Sequence, residues 1–273
     1  SPEGSDRQLW AKLAAQGVTG LLVEPEYGGV GLGAPELEAV AEETGAALLP
    51  APFLSSAVLT VALVQAAGDQ ADKQRLLPGL ADGTAIGTVA VTGPRGTWTA
   101  DGVDIRAGAD GTLTGAAHYV TFGQAADVIL VIALTDGGPA VFQVAPDAPV
   151  FQRSPATVFD PTTRLSPYTF TATPARRIGT AGWEAVRQSL DLTVIAQEGD
   201  LDQGAIPQEL HDLLESRLAG LGPIARQLLE AAAVIGRSFE LDGVRPASGR
   251  RDEEDAGGLW ELDGGGVGRG PAR

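Results

Sequence analysis

The chain has no cysteine and no methionine among its 273 residues, and of its 19 basic residues only Lys12 and Lys73 are lysine. Without cysteine there are no disulfides, no thiolate catalysis and no cysteine-ligated zinc, a composition that fits a cytoplasmic protein. Methionine is missing even at position 1, so Ser1 is read as other than the natural start. Histidine is scarce: His118 and His211 are the only two. That is too few for a histidine metal cluster, and a Ser-His-Asp triad would rest on a single unsupported candidate. Positive charge is in deficit as well. A formal net charge of -16 and a pI near 4.4 argue against nucleic-acid and anionic-membrane binding, both of which need basic patches. No apolar run is long enough to span a bilayer, and the N-terminus lacks the charged-then-apolar pattern of a signal peptide.

What the chain has is enough length for one or two cores, and a change of pattern part-way along. Ser5, followed three residues later by Gln8, reads as a capping box opening a helix through about Gln16. Leu9, Trp10, Leu13 and Ala14 fall on one face of it, and Gly17 and Gly20 end it. Pro35 stands at a favourable first helical position, with Leu37, Val40, Ala41 and Thr44 continuing an apolar face. Phe53 to Ala67 is nearly all apolar yet too short for a membrane span, hence a core helix of a bundle. Asp69 to Leu80 reads as a further helix. From Ala85 to Leu134, short runs rich in Val, Ile and Thr alternate with Gly, Asp and Pro, which is the pattern of short strands joined by turns. VFQVAP and YTFTATP carry the strand region on to about Thr173. The Gly-rich segment YGGVGLG, Tyr27 to Gly33, is no dinucleotide fingerprint, because its flanks are helical and no βαβ unit surrounds it.

Four stretches carry a family resemblance. PEYGGVGL resembles the P-E-x-x-G-G-x-G turn between early helices of acyl-CoA dehydrogenases, and GDQADKQRLLPGLADG resembles the segment that leads into their β-domain. VAVTGP, Val89 to Pro94, is similar to their VTEP-like turn. TGAAHYVTFGQAADV, Thr114 to Val128, is similar to their NGxKxWIT-like strand. The resemblance implies an α+β fold with an N-terminal helical bundle (1–83), an antiparallel β-barrel-like middle domain (84–175) and a truncated C-terminal helical region (176–205). It further implies FAD as cofactor, an acyl-CoA thioester as substrate, α,β-dehydrogenation in lipid metabolism, and a homo- or hetero-oligomer.

Carried over residue by residue, Val91 and Thr92 match the flavin-contacting Val-Thr of the turn. Tyr119 and Thr121 match the Trp and Thr of the strand, whose aromatic packs at the flavin and whose hydroxyl reaches N5. Taken singly, Thr92 and Thr121 are ordinary strand threonines and Tyr119 an ordinary core aromatic; together at this spacing they favour a flavin. Departures accompany the matches. Gly93 stands for the family's Glu, and Arg95, Gly96, Thr97 and Trp98 replace the A-G-S-D that serves the pyrophosphate. Gly96 and Thr97 could partly substitute there, with Arg95 as a charged replacement. Ala117 stands for the Lys and Thr114 for the Asn of the strand motif. Glu184, Glu198, Glu209 and Glu215 sit in no matching motif, so no catalytic base is assigned.

The resemblance stops near Ala196. Residues 206–245 resemble a helical segment downstream of the ATPase core in large ATP-dependent bacterial transcriptional regulators, although no GxxxxGK[ST] loop accompanies it. Residues 246–273 read as a disordered tail. Two rival readings follow. One is a non-catalytic partner subunit of a heteromeric acyl-CoA dehydrogenase, favoured by the altered turn. The other is a regulatory or binding module, or a fusion artefact, built on the C-terminal segment.

Overall fold

The computed structural model describes residues 5–158 and 164–198, so the expectations for 206–245 and 246–273 concern residues outside it. The described part is α+β. Helices come first: α1 (Arg7–Ala15), α2 (Ala34–Ala46), a π-helical run (Phe53–Thr60) leading into α3 (Val61–Ala67), and α4 (Gln70–Ala81). The strands β1 (Gly87–Ala90), β2 (Ile105–Ala107), β3 (Thr112–Thr121), β4 (Val128–Thr135), β5 (Gly138–Val144), β6 (Phe151–Arg153), β7 (Leu165–Pro174) and β8 (Arg176–Arg177) follow. α5 (Trp183–Glu198) then returns to the helical side and packs on α2, α3 and the π-helical run.

Local chemistry explains the helix ends, with one correction. The N-cap of α1 is Asp6, not Ser5: Asp6 Oδ1 accepts from the amides of Gln8 (2.9 Å) and Leu9 (3.1 Å). A cap must reach the N2 and N3 amides, and Asp6 stands one residue nearer to them than the buried Ser5. Asp69 caps α4 in the same way, accepting from Asp72 N at 2.8 Å. A regular core helix was expected over Phe53 to Ala67, but its first half is wound more loosely. There the Thr60 hydroxyl donates to the Ser55 carbonyl five residues back (2.7 Å), and Ser56 Oγ accepts from Gly87 N (2.8 Å). The widened turns lie where β1 comes closest, so the Thr60 hydroxyl takes up a carbonyl of the run itself while the Ser56 hydroxyl ties the run to the first amide of β1.

The sheet runs β6-β7-β3-β2-β4-β5-β8, with β1 also paired to β4. Most ladders are antiparallel, as expected of a β-barrel-like domain, but β1 lies parallel to β4 and β2 touches β4 in parallel at Arg106 opposite Leu134. Two-residue periodicity divides the strands between two cores. Val89, Val91, Leu130, Ile132 and Val141 join the helices around Leu63, Leu77 and Leu80. Ala90, Ile129, Val131, Ala133 and Phe142 turn inward onto Tyr168 and Phe170. Each fully buried side chain of Val, Leu, Ile or Phe size contributes about 1.5–3 kcal/mol, so both faces of the central strands are held apolar.

Two ionic ties join helices to sheet. Arg7 reaches both carboxylate oxygens of Asp127 (3.0 Å each), and Asp127 also accepts from Ile86 N (2.9 Å). Asp72 on α4 is only 1% exposed yet receives Arg75 (3.1 Å), Arg176 of β8 (2.9 Å) and the amide of Gly179 (3.1 Å). A buried carboxylate is tolerated because both its oxygens are used.

Candidate functional site

Both β-region motifs meet at a break in the sheet. β1 and β2 share one lane beside β4: Gly87 to Ala90 pair with Val128 to Val131, and Arg106 pairs further along with Leu134. Between them residues 91–104 leave the sheet as a loop. Its neck is closed by Gly93 N donating to Gly102 O (2.8 Å), and inside it Gly96 N donates to Gly93 O (3.1 Å) and Gly102 N to Thr99 O (2.9 Å). These three amides find their acceptors within the loop and give it a closed neck.

Thr92, at the foot of the loop, is 2% exposed and doubly tied to His118 on β3. Its carbonyl accepts from His118 N (2.8 Å) and its hydroxyl donates to His118 O (3.1 Å). Val91, 3% exposed, points into the helix-facing core, so a ligand on the outer face could meet only its backbone. Tyr119 and Thr121 lie across a bulge in β3. The pairing with β7 steps from Ala117 opposite Tyr168 to Val120 opposite Ser166, which places one extra residue on β3, and Tyr119 takes up the difference at φ 59°. Ala117 and Val120 both enter the inner core as a result, and the phase of alternation flips between them. Tyr119 is left 49% exposed, its hydroxyl donating to Pro94 O (3.2 Å) and its ring edge lying over Gly96. Thr121 is half-buried on the side away from the inner core. Its carbonyl accepts from the Thr88 hydroxyl (2.7 Å), while its own hydroxyl has no partner among the described residues. A left-handed backbone at a tyrosine costs of order 1–3 kcal/mol, a strain that tends to sit where a side chain has a task.

Thr92 and Tyr119 are thus brought to the break in the sheet, Thr121 lies beside Thr88 within the paired part of β1, and Val91 is turned into the core. Two neighbours were invisible in the sequence. His118, which the sequence marks only as one of two histidines, is the hydrogen-bond anchor that joins the motifs through its backbone. Asp104 fills the space of the family's glutamate: a Cβ on Gly93 would lie 2.8 Å from Asp104 Cβ. No local signal marks Asp104, because it arrives from the far side of the loop.

The expected charged substitute is turned inward. Arg95 donates to the Asp101 carbonyl of its own loop (3.2 Å). The Thr99 hydroxyl, 2.5 Å from Asp101 Oδ1, holds that carboxyl below the usual carboxylate range. Thr97 packs with its carbonyl and Cβ against Gly102, where any added Cβ would collide. FAD, the cofactor implied by the family resemblance, therefore fits in part. The Tyr119 ring and the free Thr121 hydroxyl suit the isoalloxazine, whereas the folded-in, acid-bearing loop 93–102 does not suit a diphosphate.

The candidate carboxylate on α5 is not free for proton transfer. Glu184 is exposed and engaged by Arg187 (2.6 and 3.0 Å) and Gln188 (3.0 Å); the Arg187 hydrogen bonds, first among the causes, lower its pKa. The side chain of Glu198 and the whole of Glu209 and Glu215 lie outside the described residues. Among the described residues no group of three potential ligands could hold a metal, and no helix is long and apolar enough to cross a membrane. An apolar groove of about 470 Å³ between α1 and α2, lined by Leu13, Val18, Val40 and Leu49 among others, lies on helices that carry none of these residues.

Parts of the chain are similar to known proteins. Residues 2–84 match the family model described as acyl-CoA dehydrogenase, N-terminal domain. Acyl-CoA dehydrogenase FadE27 of Mycobacterium tuberculosis is 35% identical over 144 residues, 53% of this chain and 38% of that protein. The chain thus spans well under half the length of this curated relative. Among solved structures, the Tcur3481-Tcur3483 steroid ACAD variant superposes with a TM-score of 0.64 at 26% identity, over 97% of this chain and 76% of that one. The ChsE4-ChsE5 complex from Mycobacterium tuberculosis gives 0.63 at 26% identity, over 87% and 60%. The chain is similar to acyl-CoA dehydrogenases in its helical start, and it shares their fold.

Proposed function

We propose that this chain is an acyl-CoA dehydrogenase-like flavoprotein subunit, contributing one wall of a flavin site used in the α,β-dehydrogenation of an acyl-CoA thioester. The observation that carries the reading is the bulge in β3, which leaves the Tyr119 ring and the Thr121 hydroxyl outside the inner core at the family's flavin-facing positions. FAD, when bound, would supply the hydride acceptor for the substrate β-carbon. The chain's own part is binding and orientation. Tyr119 offers a flat apolar face, Thr121 a hydrogen-bond donor, and Thr92 keeps the turn locked to His118. Glu184 is engaged by Arg187, so no carboxylate among the described residues is assigned as the base for the α-proton, and a missing general base typically costs about 10²- to 10⁴-fold in rate. The protein acts in the cytoplasm, which the cysteine-free composition favours.

The test is to purify the full chain, add FAD, and look for a flavin absorbance band that survives gel filtration and weakens in Thr121→Ala. Absence of any flavin uptake by a folded chain would sink the reading. Acyl-CoA turnover by the chain alone, followed with an artificial electron acceptor, would reveal a base in residues not assigned here.

A second reading has its own observation. The closed loop 93–102, together with the likeness to two solved two-chain assemblies, favours a non-catalytic partner subunit of a heteromeric acyl-CoA dehydrogenase. Stable co-purification with a flavin-bearing dehydrogenase chain, combined with no flavin uptake of its own, would select that reading.

A further inference from the structure

We infer that α5 is a releasable helix latched at its root by Asp72, so that loosening this one carboxylate frees α5 while the sheet and the other helices stay folded. The inference concerns the helical side and does not depend on the flavin reading. Three observations carry it. First, α5 is held by little apolar cover of its own. Among its described side chains Ala185, Val186, Ser189 and Ala196 are buried, and Trp183, Leu190 and Leu192 add partial cover. Apolar stabilisation scales with the area removed from water, so these contribute less than the fully buried Val61, Leu63 and Val64 of α3. Its side-chain hydrogen bonds among the described residues are internal: Arg187 pairs with Glu184 and Asp191 (2.6 Å each), Ser189 donates to Ala185 O (2.8 Å) and Thr193 to Ser189 O (2.9 Å). Second, the link that carries α5 is tied down just before it. Arg176 and Arg177 pair with Gln143 and Phe142, Ile178 N donates to Val141 O (2.9 Å), and Gly179 N donates to Asp72 Oδ2 (3.1 Å). Gly179, at φ 49°, lies on the end of α3 so closely that a Cβ would come 1.9 Å from Ala67 O. Third, the tie is concentrated in one group. Asp72 is 1% exposed and serves three donors: Arg75 (3.1 Å) and Arg176 (2.9 Å) share Oδ1, and the Gly179 amide takes Oδ2. A buried carboxylate so fully used holds its neighbours rigidly while it is charged, and its loss unties the end of the sheet and the root of α5 together. Elements with few buried contacts are the ones that open locally, below the cost of global unfolding. The latch therefore sets whether the faces of α2, α3 and the π-helical run beneath α5 are covered.

The experiment follows amide hydrogen exchange by mass spectrometry on the full purified chain, comparing peptides from α5 with peptides from β4 in the wild type, Asp72→Asn and Arg176→Gln. In the wild type α5 should exchange faster than β4; equal protection of the two would overturn the inference. Asp72→Asn keeps the side chain's shape and removes its charge. It should speed exchange in α5 by about tenfold or more, the factor that about 1.4 kcal/mol of lost local stability produces, while β4 changes by less than about twofold. A smaller change in α5, or one matched in β4, would overturn the inference, since a merely structural aspartate would lower the protection of both together. Arg176→Gln, at a side chain 52% exposed, decides the matter if Asp72→Asn does not fold. It should speed exchange by about threefold or more and in α5 alone. Less than that, or a loss shared with β4, would equally overturn the inference.

Discussion

Two glycine-dependent turns of this chain invite comparison. In the first, Pro25–Tyr27 forms a short 3-10 turn, Gly28 follows at φ 87°, and Gly29 packs on Val23 so tightly that a Cβ would lie 2.0 Å from the Val23 carbonyl. In the second, Gly93 and Gly102 close the neck of the loop between β1 and β2. The first turn keeps the family-like residues and the second departs from them. What separates the two is the job of the side chains. The Gly28–Gly29 turn is a packing device, and no residue but glycine fits where backbone meets backbone. The Gly93 loop is exposed along much of its length, where the sequence can change as long as the neck still closes; here Asp104 packs against Gly93 where a side chain would otherwise stand.

The largest expected effect breaks the first turn. Gly29→Ala should cost about 3 kcal/mol or more in urea unfolding, because the collision is with backbone and cannot be relieved by a rotamer change. A loss below about 1 kcal/mol would mean that the turn is more pliable than its geometry implies. Next comes restoration of the family residue in the second turn. Gly93→Glu should destabilise by about 2 kcal/mol, and combining it with Asp104→Gly should recover at least half of that, since the two side chains compete for one space. Additive losses in this double-mutant cycle would show that Asp104 is not what excludes a side chain at position 93.

A smaller effect concerns the inner core beneath the loop. The Tyr168 hydroxyl donates to Gly123 O (2.7 Å), so Tyr168→Phe should cost about 1 kcal/mol in thermal unfolding. Burial pushes the Tyr168 phenol above its ordinary 10.0. A phenol whose folded value is raised contributes stability in full below about pH 10, and loses it as pH rises and the unfolded chain ionises first. Wild-type stability should therefore fall above pH 10, and the Phe variant should show a shallower decline. At the acid end, the Asp101 carboxyl is lowered by its Thr99 hydrogen bond, so its contribution is present above the ordinary value of 3.8 and is lost as pH falls through the lower folded value. Amide resonances of Thr99 and Gly102 should then shift below pH 4 while those of Gly28 and Gly29 hold, because that turn is closed by backbone groups alone. The smallest effect on stability is expected from Thr121→Ala, under about 0.5 kcal/mol, since its hydroxyl has no partner among the described residues. The same change should lower flavin retention severalfold.

Much of the architecture was legible locally. The apolar spacing of Leu37, Val40, Ala41 and Thr44, the Gly-Asp-Pro punctuation after Ala85 and the alternation in β4 each reflect a periodicity that a short window contains. The shift of the α1 cap from Ser5 to Asp6 was a local matter of which side chain reaches the first amides. Other errors arose where a partner far along the chain decides: the loosened turns of Phe53–Thr60 follow from the approach of Gly87. The parallel pairing of β1 with β4 depends on the lane it shares with β2.

At the candidate site the division is sharper. From sequence alone came the residue types: an aromatic and a threonine two positions apart on a strand, and a Val-Thr at a turn about 28 residues earlier, by their order along the chain. Spacing alone would have placed Tyr119 on the same face as Ala117 and Thr121, by the two-residue period of a strand. Tertiary structure decided otherwise. The extra residue opposite Tyr168 and Ser166 flips the phase, so that Ala117 and Val120 fill the inner core while Tyr119 is lifted over the loop and Thr121 faces outward. A bulge is set by the register of two strands more than 40 residues apart, and by what each must bury, which no local pattern encodes.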